Sequence, residues 1–110
     1  MQPIQRVTPA TIEVLKCIYS FDGLGVWGLE ISKSTGFKTG TIYPLLERLE
    51  SLGWLESEWE LEADRNGPRR KNYKLTREAF DEIRELLEKP SSARHDEVAW
   101  NFALRQSLLG

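Results

Sequence analysis

Residues 39–55 read TGTIYPLLERLESLGWL. Ile42, Leu45, Leu46, Leu49 and Leu52 recur at the spacing that lines one face of a helix. Ahead of that stripe, Thr39-Gly40-Thr41 and Tyr43-Pro44 offer little to bury. Pro44 has no N–H and is tolerated near a helix start, and Thr39 or Thr41 is expected to cap the free amides there. Gly53 is the expected left-handed stop. A helix that is apolar at its back and slim at its front can present that front to something outside the chain.

Working outward, residues 8–21 (TPATIEVLKCIYSF) carry Ile12, Val14, Leu15, Ile18, Tyr19 and Phe21 on a wide helical stripe, with Thr8 as N-cap and Pro9 at the first helical position. DGLGVWG at 22–28 is a glycine-rich breaker, and a short helix fits 27–35, with Trp27, Leu29, Glu30 and Ile31. From residue 54 the period changes to two. Leu55, Ser57, Trp59, Leu61 and Ala63 form a half-buried strand face, and Glu56, Glu58, Glu60 and Glu62 its solvated face. DRNGPRR at 64–70 is a turn, and KNYKLT at 71–76 returns as a second strand with Tyr73 and Leu75 on one side, so a β-hairpin is expected. Residues 76–89 give another amphipathic helix, capped by Thr76 and striped by Ala79, Phe80, Ile83, Leu86 and Leu87. After Pro90-Ser91-Ser92, a last helix is expected from Ser92 to about residue 108.

Composition bounds what such a chain does. Its 110 residues suit a single domain, and 40% hydrophobic with 29% charged residues excludes a disordered chain. No apolar run approaches the ~20 residues that span a bilayer, and the N-terminus lacks a signal-peptide pattern, so a cytoplasmic protein is expected. One cysteine, Cys17, excludes an internal disulfide and reads as an inert core residue. His95, the sole histidine, stands beside Asp96 with no nucleophile near in sequence. There is no phosphate-binding glycine loop and no metal-ligand spacing. An enzyme is therefore not expected, and no cofactor is implied.

The net charge of −2 argues against nucleic acid when taken as a sum. Its distribution argues the other way. Arg65, Arg69, Arg70, Lys71 and Lys74 crowd the hairpin tip with no acid after Asp64, and much of the negative charge lies past residue 77. Three helices followed by a hairpin is the order of a winged helix-turn-helix, a mainly α fold with a small β-hairpin. In that fold the third helix enters the major groove by its N-terminal residues. Lys38, Thr39, Thr41 and Tyr43 are then the expected DNA contacts from the helix, and Arg65, Arg69, Arg70 and Lys71 those from the wing. The rival is a winged-helix module that binds only protein.

Residues 98–109 (VAWNFALRQSLL) are apolar on two sides: Val98, Phe102 and Leu109 on one, Trp100, Leu104 and Leu108 on another. One small domain is not expected to cover both. A C-terminal dimerisation helix follows as the expectation, with Val98, Trp100, Phe102, Leu104 and Leu108 at the interface. Residues 1–89 would be the DNA-binding part and 90–110 the dimerising helix of the same compact unit.

Gly40 through Leu46, Arg48 through Glu50, and Gly67 to Thr76 resemble the signature of the PadR family of winged-helix transcriptional regulators. The resemblance spans residues 10–88. Pro68 follows its glycine directly, and Asn72 stands where an aromatic is common. The upstream element reads Gly25-Val26-Trp27-Gly28-Leu29-Glu30-Ile31, with tryptophan and leucine at positions usually held by other residues. The resemblance implies a cytoplasmic homodimer that binds a pseudo-palindromic operator, usually as a repressor. Carried over, Thr39, Thr41, Tyr43, Arg69, Arg70 and Lys71 would contact DNA. Some members bind flat aromatic molecules at the dimer interface, so the resemblance leaves two readings of Trp100: filler of that interface, which is the preferred one, or contact for a small aromatic effector.

Overall fold

The computed structural model describes residues 1–21, 23–60, 70–88, 100 and 104–105. Four helices and a three-stranded antiparallel sheet run in the order α1 (Pro9–Ser20), β1 (Val26–Trp27), α2 (Gly28–Thr35), α3 (Thr39–Ser51), β2 (Leu55–Trp59), β3 (Lys71–Leu75) and α4 (Arg77–Glu88). This is the winged helix-turn-helix expected from the element order.

Thr8 caps α1 as anticipated, through a reciprocal pair. The Thr11 amide donates to Thr8 Oγ1 and the Thr8 amide to Thr11 Oγ1, both at 3.3 Å. The exchange satisfies the polar groups of Thr11, which is fully buried. Behind the cap, Ile12, Val14, Leu15 and Ile18 enter the core, where they join Ile31, Ile42, Leu46 and Leu49 from the next two helices. Tyr19 stacks on Phe80 at 4.7 Å between ring centres, which joins α1 to α4. Thr76 Oγ1 accepts from the Ala79 amide at 3.4 Å at the head of α4.

The sheet holds one strand more than the hairpin predicts. Val26 and Trp27 pair with Tyr73 and Asn72, so β3 is central and the order is β1-β3-β2. Two residues between glycines are too short for a period-two pattern, which is why the breaker concealed a strand. Val26, Leu55, Tyr73 and Leu75 fill the inner face. On the outer face Lys74 sits opposite Glu56 and pairs with it at 3.6 Å. Trp59 departs from its expected half-buried place and is 58% exposed. Among the described residues, Glu50 is the helix side chain bonded to that end of the sheet, through Ser57 and Lys71, and it leaves the indole uncovered.

The end of α3 is built as its sequence suggests, in a Schellman arrangement. Gly53 takes φ 85° and donates to the Glu50 carbonyl at 3.0 Å, and the Trp54 amide reaches back to the Leu49 carbonyl at 2.9 Å. Trp54 is fully buried, and its indole N–H donates to the Gln2 carbonyl at 2.6 Å. A Cβ on Gly53 would lie 3.1 Å from Met1 Cα. Two substitutions test this joint by urea unfolding. Gly53→Ala is expected to cost about 1–2 kcal/mol for the left-handed backbone alone, and Trp54→Ala about 3–5 kcal/mol. Losses below half a unit in both would mean that the joint is not a principal support.

Candidate nucleic-acid interface

The link from α2 to α3 is fixed by short bonds. Gly36, at φ 83°, ends α2 and donates to the Ser32 carbonyl at 2.9 Å. Ser32 Oγ donates to the Phe37 carbonyl at 2.5 Å, and the Phe37 amide donates to Thr35 Oγ1 at 3.4 Å. Phe37 packs against the core, so the turn is anchored from inside. Lys38 follows as the N-cap of α3.

The capping expectation for Thr39 and Thr41 does not hold. Lys38 occupies the cap with extended backbone and makes no side-chain cap bond, which puts Thr39 and Thr41 inside the first turn. The Thr41 and Ile42 amides both donate to the Lys38 carbonyl, at 2.9 and 3.0 Å. Among the described residues the Thr39 and Gly40 amides have no partner. They are the free donors of a helix N-terminus, where the backbone dipoles favour an anion.

Around those amides the surface is open. Lys38, Thr39, Gly40, Thr41, Tyr43, Pro44, Glu47 and Arg48 are all exposed, while Ile42, Leu45, Leu46 and Leu49 on the other side are buried. A Cβ on Gly40 would meet nothing within 4 Å. Packing within the chain therefore does not require a glycine there. Pro44 lies more than a full turn into α3, so the Gly40 carbonyl loses its helical donor as well.

Tyr43 is held rather than loose. Its ring lies against Gly28 so closely that a Cβ there would meet Cζ at 2.8 Å and Oη at 3.0 Å. The missing side chain at the head of α2 is the seat for the tyrosine, which stays 44% exposed. The sequence displayed Gly28 within a glycine-rich run but gave no means of matching it to Tyr43.

The wing residues divide. Arg65 and Arg69 lie outside the described residues. Arg70 places its Cζ 3.9 Å from the centre of the Trp27 ring. Its backbone is clamped to Glu60, the residue after β2: the Glu60 amide donates to the Arg70 carbonyl at 2.8 Å, and the Arg70 amide to Glu60 Oε2 at 3.0 Å. Lys71 turns inward, with Nζ 3.6 Å from Glu50 Oε1 and 5.6 Å from both the Trp59 and Tyr73 rings. The Glu50 carboxylate also takes the Ser57 hydroxyl at 2.5 Å, so Lys71 and Glu50 tie the wing to the back of α3. Burial pushes the Tyr73 phenol up, with Glu50, Glu47 and Tyr43 adding to the shift. Behind the sheet a shallow depression of about 340 Å³ includes Leu24, Glu56, Glu58, Asn72 and Lys74 in its lining. Its two carboxylates oppose phosphate.

The expected dimer residues fall mostly elsewhere. Val98, Phe102 and Leu108 lie outside the described residues. Trp100 and Leu104, read as facing a partner, are 1% and 0% exposed within a single chain. The Ile4 amide donates to the Leu104 carbonyl at 3.1 Å, and Lys16 Nζ stands 5.2 Å from the Trp100 ring centre. Sequence patterning shows two apolar sides but not which one the chain covers itself. An effector resting on Trp100 would first have to uncover it. Cys17 is half-buried, and burial pushes its thiol up, against an opposing hydrogen bond from Ser34. Among the described residues no group of His, Cys, Asp and Glu could hold a metal, and no helix is long and apolar enough to cross a membrane.

Comparison with known proteins places this surface in context. Over residues 27–85, more than half its length, the chain matches the transcriptional regulator PadR-like family. A PadR family transcription regulator from Clostridium difficile R20291 is 33% identical, with a TM-score of 0.53 over 67% of this chain and 82% of that one. A protein from Streptococcus mutans UA159 is 29% identical, with a TM-score of 0.56 over 74% and 77%. MepR, a transcription regulator of the Staphylococcus aureus multidrug efflux pump MepA, shares the fold at 23% identity and a TM-score of 0.53 over 94% and 81%. No curated protein matches the chain. The matched segment runs from the seat of Tyr43 through α3 and the wing to α4, and on that ground the chain belongs to the PadR-like family of transcriptional regulators.

Proposed function

We propose that the protein is a cytoplasmic, sequence-specific DNA-binding regulator that represses by occupying a pseudo-palindromic operator as a homodimer. The observation that carries this reading is the front of α3. Its amides at Thr39 and Gly40 lack partners among the described residues, Lys38 stands beside them, and space is left open over Gly40. A major groove ~12 Å wide admits a helix whose leading end is slim, and free amides with hydroxyls suit phosphate oxygens. Thr39, Thr41 and Tyr43 would meet the duplex together with Lys38, and the wing would add Arg65, Arg69 and Arg70. Lys71, bound to Glu50, would act more as the wing's tether than as a contact.

For the dimer, the support is a division of sides. Trp100 and Leu104 are spent inside the chain. Phe102 is two residues from both Trp100 and Leu104 in sequence, and Val98 two from Trp100, so helical spacing would turn both away from that side and leave them for a second chain. The symmetric pair would bring two α3 helices to half-sites about 34 Å apart.

Three measurements test the reading. Binding of a labelled mixed-sequence duplex should weaken by roughly 10³-fold between about 50 and 200 mM salt if six or more phosphates are neutralised; a flat response would favour the protein-interaction module instead. Gly40→Ala should act with opposite signs. It should stabilise the fold by up to about 1 kcal/mol, yet weaken duplex binding by about 1–3 kcal/mol, on the order of one lost contact. Unchanged binding would remove the helix front from the interface. Phe102→Glu should shift the sedimenting species from dimer toward monomer while leaving the circular dichroism of the fold intact; a dimer untouched by it would place the interface elsewhere.

A further inference from the structure

We propose that Trp27 is a positioning residue of the DNA-binding surface, whose indole face holds the Arg70 guanidinium so that its edge is presented to a phosphodiester of duplex DNA. The proposal rests on the DNA-binding reading and goes beyond it, because it assigns a role to a residue of β1 that has no need to touch DNA.

The geometry supplies the argument. Arg70 Cζ lies 3.9 Å from the centre of the Trp27 ring, within the range where a guanidinium stacks on an indole. Stacking engages the flat face of the guanidinium. Its five N–H donors lie in the plane and stay available, in a fork that matches two phosphate oxygens. Among the described residues no carboxylate forms an ion pair with the Arg70 side chain, whereas Lys71 and Lys74 are held by Glu50 and Glu56. The basic residues described in β3 are therefore internally paired, while the side chain of the arginine just ahead of it is oriented and forms no ion pair with a described carboxylate, the Glu60 carboxylate being engaged by the Arg70 amide. The backbone of Arg70 is clamped at both ends by Glu60, so the remaining freedom lies in the side chain, and the indole limits it.

Position strengthens the case. Trp27 is followed by Gly28, the seat of Tyr43. Two consecutive residues at the head of α2 thus locate one side chain from the wing and one from α3. Pairing of Trp27 with Asn72 in the sheet register fixes the strand on which the indole stands. A long, flexible arginine loses much of its rotamer entropy on binding, and prior stacking removes part of that cost.

A double-mutant cycle on the full chain tests this, with a labelled mixed-sequence duplex as the probe. Trp27→Leu keeps apolar bulk and removes the aromatic face; Trp27→Phe keeps a face. Trp27→Leu is expected to weaken binding about 2- to 30-fold and to lower the salt slope by about one. Trp27→Phe should recover most of the loss. In an Arg70→Ala background, Trp27→Leu should cost less than about twofold, because nothing remains to be positioned. The same loss with and without Arg70 would overturn the proposal, as would Trp27→Phe behaving like Trp27→Leu. If the unaltered protein shows no salt-dependent duplex binding, the DNA-binding reading fails and this inference falls with it. Additive losses with normal wild-type binding remove the role of Trp27 alone.

Discussion

The closure of α3 at Gly53 and Trp54 is the joint on which the rest of the molecule depends. A left-handed glycine turns the chain, and the next residue buries a tryptophan in the core. From that point three bonds run to two places, the amino-terminal segment and Thr76. The Trp54 indole holds the Gln2 carbonyl, the Trp54 carbonyl receives the Thr76 amide at 3.1 Å, and Thr76 Oγ1 donates to the Gly53 carbonyl at 2.9 Å. One turn of chain therefore fixes the amino-terminal segment, the start of β2 and the approach to α4. A residue with a Cβ at position 53 would strain the turn and crowd Met1 together.

The anchored end explains the free one. A helix must be held somewhere to present something elsewhere, and α3 is held along its back by Ile42, Leu46 and Leu49 and at its end by Trp54. Its first turn is then able to go without a side-chain cap. A missing cap typically costs about 1 kcal/mol of helix stability, which a core of this extent absorbs. The amides left over are those an anion can use. Charge follows the same logic. The chain is net negative, yet its carboxylates at Glu50 and Glu56 take up Lys71 and Lys74 on the wing, while the helix front carries Lys38 with no acid in its first turn.

Much of this was legible in the sequence, for identifiable reasons. The stripes of α1, α3 and α4 and the stop at Gly53 follow from periodicity and from the one residue that takes a left-handed turn without cost. Other features depend on distance in space. β1 is too short to show a period, and it acquires meaning only beside β3. Whether Thr39 or Lys38 caps α3 is decided by one pair of backbone angles, to which both residue types are compatible. Gly28 serves Tyr43 from fifteen positions away in the chain, and no local pattern links them. Trp59 and Trp100 show the same limit from opposite sides. Both sit on apolar faces by spacing, yet one is 58% exposed and the other 1%, because cover comes from elements that the spacing does not locate.

The amino-terminal segment adds a mechanical consequence. The Gln2 amide donates to the Leu52 carbonyl at 2.7 Å, at the end of α3, and the Ile4 amide donates to the Leu104 carbonyl at 3.1 Å. Residues 2–4 therefore join the end of α3 to the terminal helical residues. If the second chain is met by the far side of that terminal segment, the path from one α3 to the other crosses few flexible links: Leu52, the strap, Leu104, the interface and the same steps in reverse. Half-site spacing would then depend on these backbone hydrogen bonds as well as on the side chains of the interface. A substituted residue on the strap would change the separation of the two α3 helices before it changed what either one contacts.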